Sequence, residues 1–102
     1  LSEIKNNKIV LPSWNGGDHH VFHLFVVLVQ DRDGFIAYLK HNEIGTLVHY
    51  PVAPHKQKAL PEYHQLQFPV TEKIHSEIVS IPVSPVLEEH QITRIISVLN
   101  SY

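Results

Sequence analysis

The sequence has 102 residues, 43% hydrophobic and 18% charged, with a net charge of -2 at neutral pH. That is the composition of one small globular domain, not of a disordered or fibrous chain. The charge balance excludes a broad basic face for nucleic acid or anionic membrane. The absence of cysteine excludes a disulfide framework, a thiol nucleophile and a Cys-ligated zinc site. No apolar run reaches the length of a membrane span, and no basic-plus-apolar leader opens the chain. It starts at Leu1 rather than methionine, which suggests a processed protein or a fragment, with a cytoplasmic origin as the expectation.

Ile9, Val10 and Leu11 form a short apolar run stopped by Pro12 and read as an entry strand. Trp14-Asn15-Gly16-Gly17-Asp18 is turn chemistry. Residues 20–29, HVFHLFVVLV, are β-branched and aromatic without glycine or proline, which predicts a central strand covered on both faces. Asp31 is placed to cap a helix through its carboxylate. Phe35, Ile36 and Leu39 give that helix an apolar stripe to about Asn42, and Gly45 is expected to end it in the left-handed conformation. Residues 46–50 read as a short strand, and Pro51 and Pro54 make a stiff loop through Gln57. Pro69 suits the first turn of a second helix, with Val70, Ile74 and Ile78 on one stripe. Ile81-Pro82-Val83 reads as an edge strand. Residues 88–99 close the chain as a helix whose apolar face is Ile92, Ile95, Ile96 and Leu99. The order predicts an α+β fold, a small, mostly antiparallel sheet with helices packed on it.

Three features bear on chemistry. His19 and His23 would share one face of a strand, with His20 on the other. Two ligands without an HExxH pattern or a cysteine pair fall short of a metal centre. Partly buried histidines bonded to backbone are the expectation there. The loop GTLVHYPVAPHKQ, residues 45–57, gathers His49, Tyr50, His55, Lys56 and Gln57 between prolines. Proline lowers the entropy lost in ordering a loop, so its donors can be pre-placed for a phosphate or a sugar hydroxyl. An ordinary polar surface loop remains the other reading. No serine lies in a nucleophile elbow, and neither the Walker phosphate loop nor GxGxxG occurs. Arg32 and Arg94 read as solvated helix residues, and Glu88-Glu89 as the negative start of the last helix.

Three segments in order carry a family resemblance: HxFHLFVV at residues 20–27, TLVHYPVAPHKQ at residues 46–57, and FPxxEKxxxExxSxPxxP at residues 68–85. Together they resemble the C-terminal end of the DegT/DnrJ/EryC1/StrS sugar aminotransferases. The likeness runs from about Ile9 to the C-terminus. The TLVHYPVAPHKQ wording is most similar to members acting at C3 of dTDP-linked keto-deoxysugars. The family often has arginine after HLFVV, where this chain has Leu28.

The resemblance implies a type I fold PLP enzyme, usually a homodimer, that moves an amino group from glutamate to a keto sugar on a nucleotide. The products feed lipopolysaccharide and related glycans. It implies that residues 1–102 are a single C-terminal small domain whose partner is its own large PLP domain, where the Schiff-base lysine and the cofactor contacts lie. No cofactor contact, no catalytic residue and no metal ligand is then expected in this chain, which alone should be inactive. Substrate contacts are expected at His49 and Tyr50 first, then His55 and Lys56 of the same loop. A free-standing domain that binds a nucleotide sugar or a protein partner without catalysis is the alternative, and a histidine metal module ranks behind both.

Overall fold

The computed structural model describes residues 2–102. Six regular elements appear in chain order: β1 (Ile9–Val10), β2 (Phe25–Val29), α1 (Arg32–His41), α2 (Pro69–Glu77), β3 (Ile78–Ile81) and α3 (Glu89–Asn100). Two single-turn 3₁₀ helices, Pro54–Lys56 and Pro61–Tyr63, lie in the long connection between α1 and α2. The strands form one antiparallel sheet in the order β1-β2-β3, so the α+β class holds.

The register divides the sheet into two chemically different faces. Ile9 pairs with Val29, Val27 with Val79, and Phe25 with Ile81. These residues share the face that packs with Phe35 and Leu39 of α1, Leu99 of α3 and Ile44 to form the core. The opposite face carries Val10 and Leu28, Ile78, and the Val26–Ser80 pair. Lys73 and Glu77 of α2 approach Val10 and Leu28 across a groove there. Leu28 therefore stands half-buried on the face toward α2.

Helix α1 begins as its sequence requires. Asp31 Oδ1 accepts a hydrogen bond from Gly34 N–H (3.1 Å), a cap that contributes about 1 kcal/mol. A Cβ at Gly34 would collide with that carboxylate, so a larger residue there would have to displace the cap. The helix ends in a Schellman arrangement. Glu43 N–H donates to the Lys40 carbonyl and Ile44 N–H to the Leu39 carbonyl. The left-handed residue is Glu43, at φ 59, and not Gly45. Ile44 and Leu39 are both buried and make the apolar contact that fixes this position. Gly45 comes two residues too late for it.

The long strand expected over residues 20–29 is cut to its second half. β2 starts at Phe25 because nothing pairs with the chain before it. Its partner β3 stops at Ile81, where Pro82 has no N–H to donate, and β1 has only two residues. Phe22 then leaves the extended region at φ 42. The strand expected at residues 46–50 reduces to one bridge between Leu47 and Ser80. The third strand lies earlier than Ile81-Pro82-Val83, at Ile78–Ile81. All four of its residues are buried, since β2 flanks it on one side and Leu47 on the other. The Val70, Ile74, Ile78 stripe does not form: Val70 and Ile74 are exposed, and Ile78 belongs to β3.

Helix α3 runs one residue past its expected end. Gln91 Oε1 accepts from Glu88 N–H (2.9 Å) at its start. Leu99 is fully buried, whereas Ile92 at the other end of the stripe is 43% exposed. The first and last segments are tied together: Asn6 Nδ2 donates to the Leu99 carbonyl, and Lys5 N–H donates to Asn100 Oδ1. Tyr102 stacks edge-on against Phe35 at 4.9 Å. Among the described residues no helix is long and apolar enough to cross a membrane.

Candidate functional site

The loop from Thr46 to Gln57 is held by hydrogen bonds from three directions. Leu47 exchanges both backbone hydrogen bonds with Ser80 of β3, at 2.8 and 3.1 Å. His49 Nδ1 and Ser80 Oγ are hydrogen-bonded at 2.8 Å. His75 Nδ1 of α2 donates to the Tyr50 carbonyl at 2.6 Å. Arg32 Nη1, from the start of α1, donates to the His75 carbonyl at 2.8 Å. The His49–Tyr50 peptide is cis.

Further along, Pro54 opens a 3₁₀ turn that buries His55. Its Nε2–H donates to Glu72 Oε1 at 2.8 Å, and its ring meets Phe68 edge-on at 4.9 Å. Glu72 also accepts from Phe68 N–H at 3.1 Å, which satisfies a free donor at the start of α2. The hydrogen bond from His55, then that from Phe68, holds the Glu72 carboxyl below its ordinary value of 4.5. Lys56 Nζ donates to the carbonyls of His64 (2.7 Å) and Leu66 (3.0 Å), and lies 3.9 Å from Glu72 Oε1. His64 Nε2–H donates to the Gln57 carbonyl at 2.9 Å.

The four sequence-nominated residues thus fall into two pairs. His49 is half-buried with its ring edge-on to Tyr50, and Tyr50 is 66% exposed. His49 lines an open groove of about 480 Å³ together with His23, Leu24, Thr46, Leu47 and Ser80. His55 and Lys56 face the other way, against α2 and the 60–68 segment, where their polar groups are already bonded. Lys56 keeps one ammonium donor beyond its two carbonyls. It borders a second groove of about 350 Å³ with Arg32, Val52, Glu72 and His75.

His19, His20 and His23 are exposed and precede β2, so the face-sharing expected of a strand does not apply. The expectation of partial burial fails for the same reason: no neighbouring strand covers them. His20 Nδ1 accepts from Phe22 N–H (2.9 Å), which is a local turn contact. Only His23 of the three reaches the groove that His49 lines.

Ser80, Glu72, His75 and Arg32 hold the loop, and sequence reasoning did not nominate them. Arg32 is half-buried, not solvated, whereas Arg94 is exposed on α3 as expected and donates to the Asn42 carbonyl (2.9 Å). The sequence carried a signal for two of the four. Ser80 is the polar residue in the apolar run IVSI, and a buried hydroxyl needs a partner. Glu72 stands three residues after Pro69 in the FPxxEK segment, where a carboxylate can meet free helix donors.

A family model for the DegT/DnrJ/EryC1/StrS aminotransferase family matches residues 1–100. The chain belongs to that family. It is 48% identical over 102 residues to a dTDP-3-amino-3,6-dideoxy-alpha-D-galactopyranose transaminase of Aneurinibacillus thermoaerophilus, covering all of this chain and 28% of that one. Among solved structures it resembles S. venezuelae DesV in complex with a ketimine intermediate, at TM-score 0.86 and 30% identity over 98% of this chain and 28% of that one. It also resembles NtdA of Bacillus subtilis with bound cofactor PMP, at TM-score 0.78 and 31% identity over 91% of this chain and 22% of that one. The chain therefore spans only 22–28% of the length of these relatives.

The residues of this chain do not form a PLP site. A lysine that carries the cofactor needs desolvation to lower its pKa, and every lysine here is exposed. Lys56, the one lysine on the candidate loop, is committed to two carbonyls. What the loop offers instead is a set of fixed donors on an open groove, suited to binding and orienting a polar ligand.

Proposed function

We propose that this chain is the small C-terminal domain of a PLP-dependent aminotransferase that transfers an amino group from glutamate to a keto-deoxysugar carried on dTDP. Family membership and 48% identity along the whole chain to a dTDP-amino-dideoxygalactose transaminase support the reaction class. The observation that carries this domain's role is the fixed loop. Its backbone is pinned to β3 and α2, while His49 lines the open groove and Tyr50 stands exposed beside it, ring edge-on to His49. In this reading the cofactor, its lysine and the electron-sink chemistry belong to the large domain. The parent protein is a cytoplasmic homodimer, and its product goes into cell-surface polysaccharide or a related glycan.

Each loop residue then has a role set by its place. His49 donates to an oxygen of the sugar nucleotide. Tyr50 lays its ring and hydroxyl against the sugar. Lys56 directs its remaining donor at the diphosphate, and His55 keeps the loop seated on Glu72. The domain binds, orients and shields the substrate from water.

The test uses the full-length protein containing this chain, loaded with PLP and supplied with glutamate and a dTDP-linked 3-keto-6-deoxysugar. Transamination is expected, and none from the 102-residue chain alone. His49→Ala and Tyr50→Ala are each expected to raise KM for the sugar nucleotide about ten- to hundredfold, the range for lost hydrogen bonds to charged or polar ligands, with KM for glutamate unchanged. Wild-type KM for the sugar in both variants would remove the loop from the substrate site. No transamination by the full-length protein would leave a nucleotide-sugar-binding domain without this chemistry.

A further inference from the structure

Ser80 is the third residue of β3 and is 7% exposed. Its backbone N–H donates to the Leu47 carbonyl, and its carbonyl accepts from Leu47 N–H. Its hydroxyl has one proton to donate, and in a buried strand that proton needs an acceptor. Among the described residues the hydroxyl makes one hydrogen bond, to His49 Nδ1 at 2.8 Å. A neutral imidazole has one nitrogen protonated and the other free to accept. With the proton on Nδ1, the ring would donate to Ser80 Oγ and leave the hydroxyl proton without a partner among the described residues. With the proton on Nε2, the hydroxyl donates to Nδ1 and both groups are satisfied.

We propose that Ser80 is a positioning residue that fixes His49 in the Nε2–H tautomer and aims that N–H into the groove. Nε2 has no hydrogen-bond partner among the described residues, and none of their buried side-chain nitrogens or oxygens is left without a partner. Nε2 is therefore open to the groove that His23, Leu24 and Thr46 share with it. A ring in this state presents a donor and no lone pair to the ligand. It recognises an acceptor oxygen, on the sugar or on the diphosphate, and it does not take a proton from substrate at Nε2. The ligand's identity rests on the reading given under Proposed function, whereas the tautomer does not depend on it.

The first measurement is a long-range ¹H–¹⁵N correlation spectrum of the histidine-labelled 102-residue chain. His49 is expected to show the Nε2–H pattern in the wild type and with Ser80→Thr, which keeps a hydroxyl, and a mixture of tautomers with Ser80→Ala. An Nδ1–H pattern in the wild type overturns the proposal, as does an unchanged pattern with Ser80→Ala. If Ser80→Ala does not fold, the wild-type spectrum still decides. The second measurement is kinetic, on the full-length cofactor-loaded protein. Ser80→Ala is expected to raise KM for the dTDP-keto-sugar about three- to tenfold, with kcat and KM for glutamate held, and Ser80→Thr to recover most of it. A matching rise in the inhibition constant of dTDP places the acceptor on the diphosphate, and no rise places it on the sugar. If His49→Ala and Tyr50→Ala both leave KM for the sugar unchanged while the Nε2–H pattern is observed, the substrate-loop reading fails and the Ser80–His49 coupling stands.

Discussion

Glu43 adopts φ 59, a conformation in which a side chain's Cβ crowds the backbone and which glycine enters freely. Its carboxylate offsets little of that strain, because its contact with Arg94 Nη2 at 3.2 Å lies on the surface. Glu43→Gly is therefore expected to raise the unfolding free energy by about 0.5–1 kcal/mol, the usual net gain once glycine's extra unfolded-state entropy is counted. A denaturant titration with an unchanged slope would measure it. A loss of stability would mean that the Arg94 contact outweighs the backbone strain. Gly45, the residue first nominated for this position, has open space where a Cβ would stand, and nothing in its geometry requires glycine.

At the scale of elements, the candidate loop and α2 form one unit joined by the His55–Glu72 hydrogen bond. Glu72 accepts from His55 and from Phe68 N–H in the folded state, so its carboxyl lies below its ordinary value of 4.5. A carboxyl lowered by folding adds stability that is fully present above its unfolded value and is lost as pH falls through its folded value. Acidification from pH 6 to below 4.5 is expected to loosen residues 54–72 before the sheet. Amide exchange across that range would show it. Glu72→Gln, which keeps an acceptor without the charge, should flatten the dependence. Equal protection of the loop at both pH values in the wild type would count against the coupling. Tyr50 and His49 belong to the same unit through His75 and Ser80, so loosening it would also disorder the groove.

At the scale of the whole molecule, the radius of gyration is 15.4 Å and the extents are 48 × 34 × 25 Å, against about 13 Å for a compact domain of this length. The excess is consistent with segments that carry much exposed apolar surface. Tyr63, Leu66, Phe68, Val70 and Ile74 are all exposed along one stretch, Val70 to 75%. Exposed apolar residues at this density favour contact with another apolar surface. The isolated chain is expected to self-associate, with a sedimentation coefficient that rises with concentration. Replacing Val70 and Ile74 with glutamate should return it to a monomer without touching the core. A wild-type chain that sediments as a monomer at every concentration would show that the stretch is tolerated in water.

Features that depend on near neighbours in the chain could be read from the residues alone. The Asp31 cap, the 3.6-residue spacing of Phe35 and Leu39, the Pro69 start of α2 and the apolar face of α3 each need only a few adjacent residues. Each appears close to its expected place. The placing of His49 and Tyr50 on a proline-stiffened loop was legible in the same way. The tertiary structure decided what depends on partners distant in sequence. Residues 20–24 have strand composition but no strand beside them, because Pro82 ends β3 and β1 is two residues long. Val70 and Ile74 have helical spacing, but α2 turns its polar groups inward to meet His55 and Tyr50. The division of the loop into an outward pair, His49 and Tyr50, and an inward pair, His55 and Lys56, rests on Ser80, Glu72 and the 64–66 carbonyls. Those contacts span 8 to 31 positions, and only folding brings them into hydrogen-bond range.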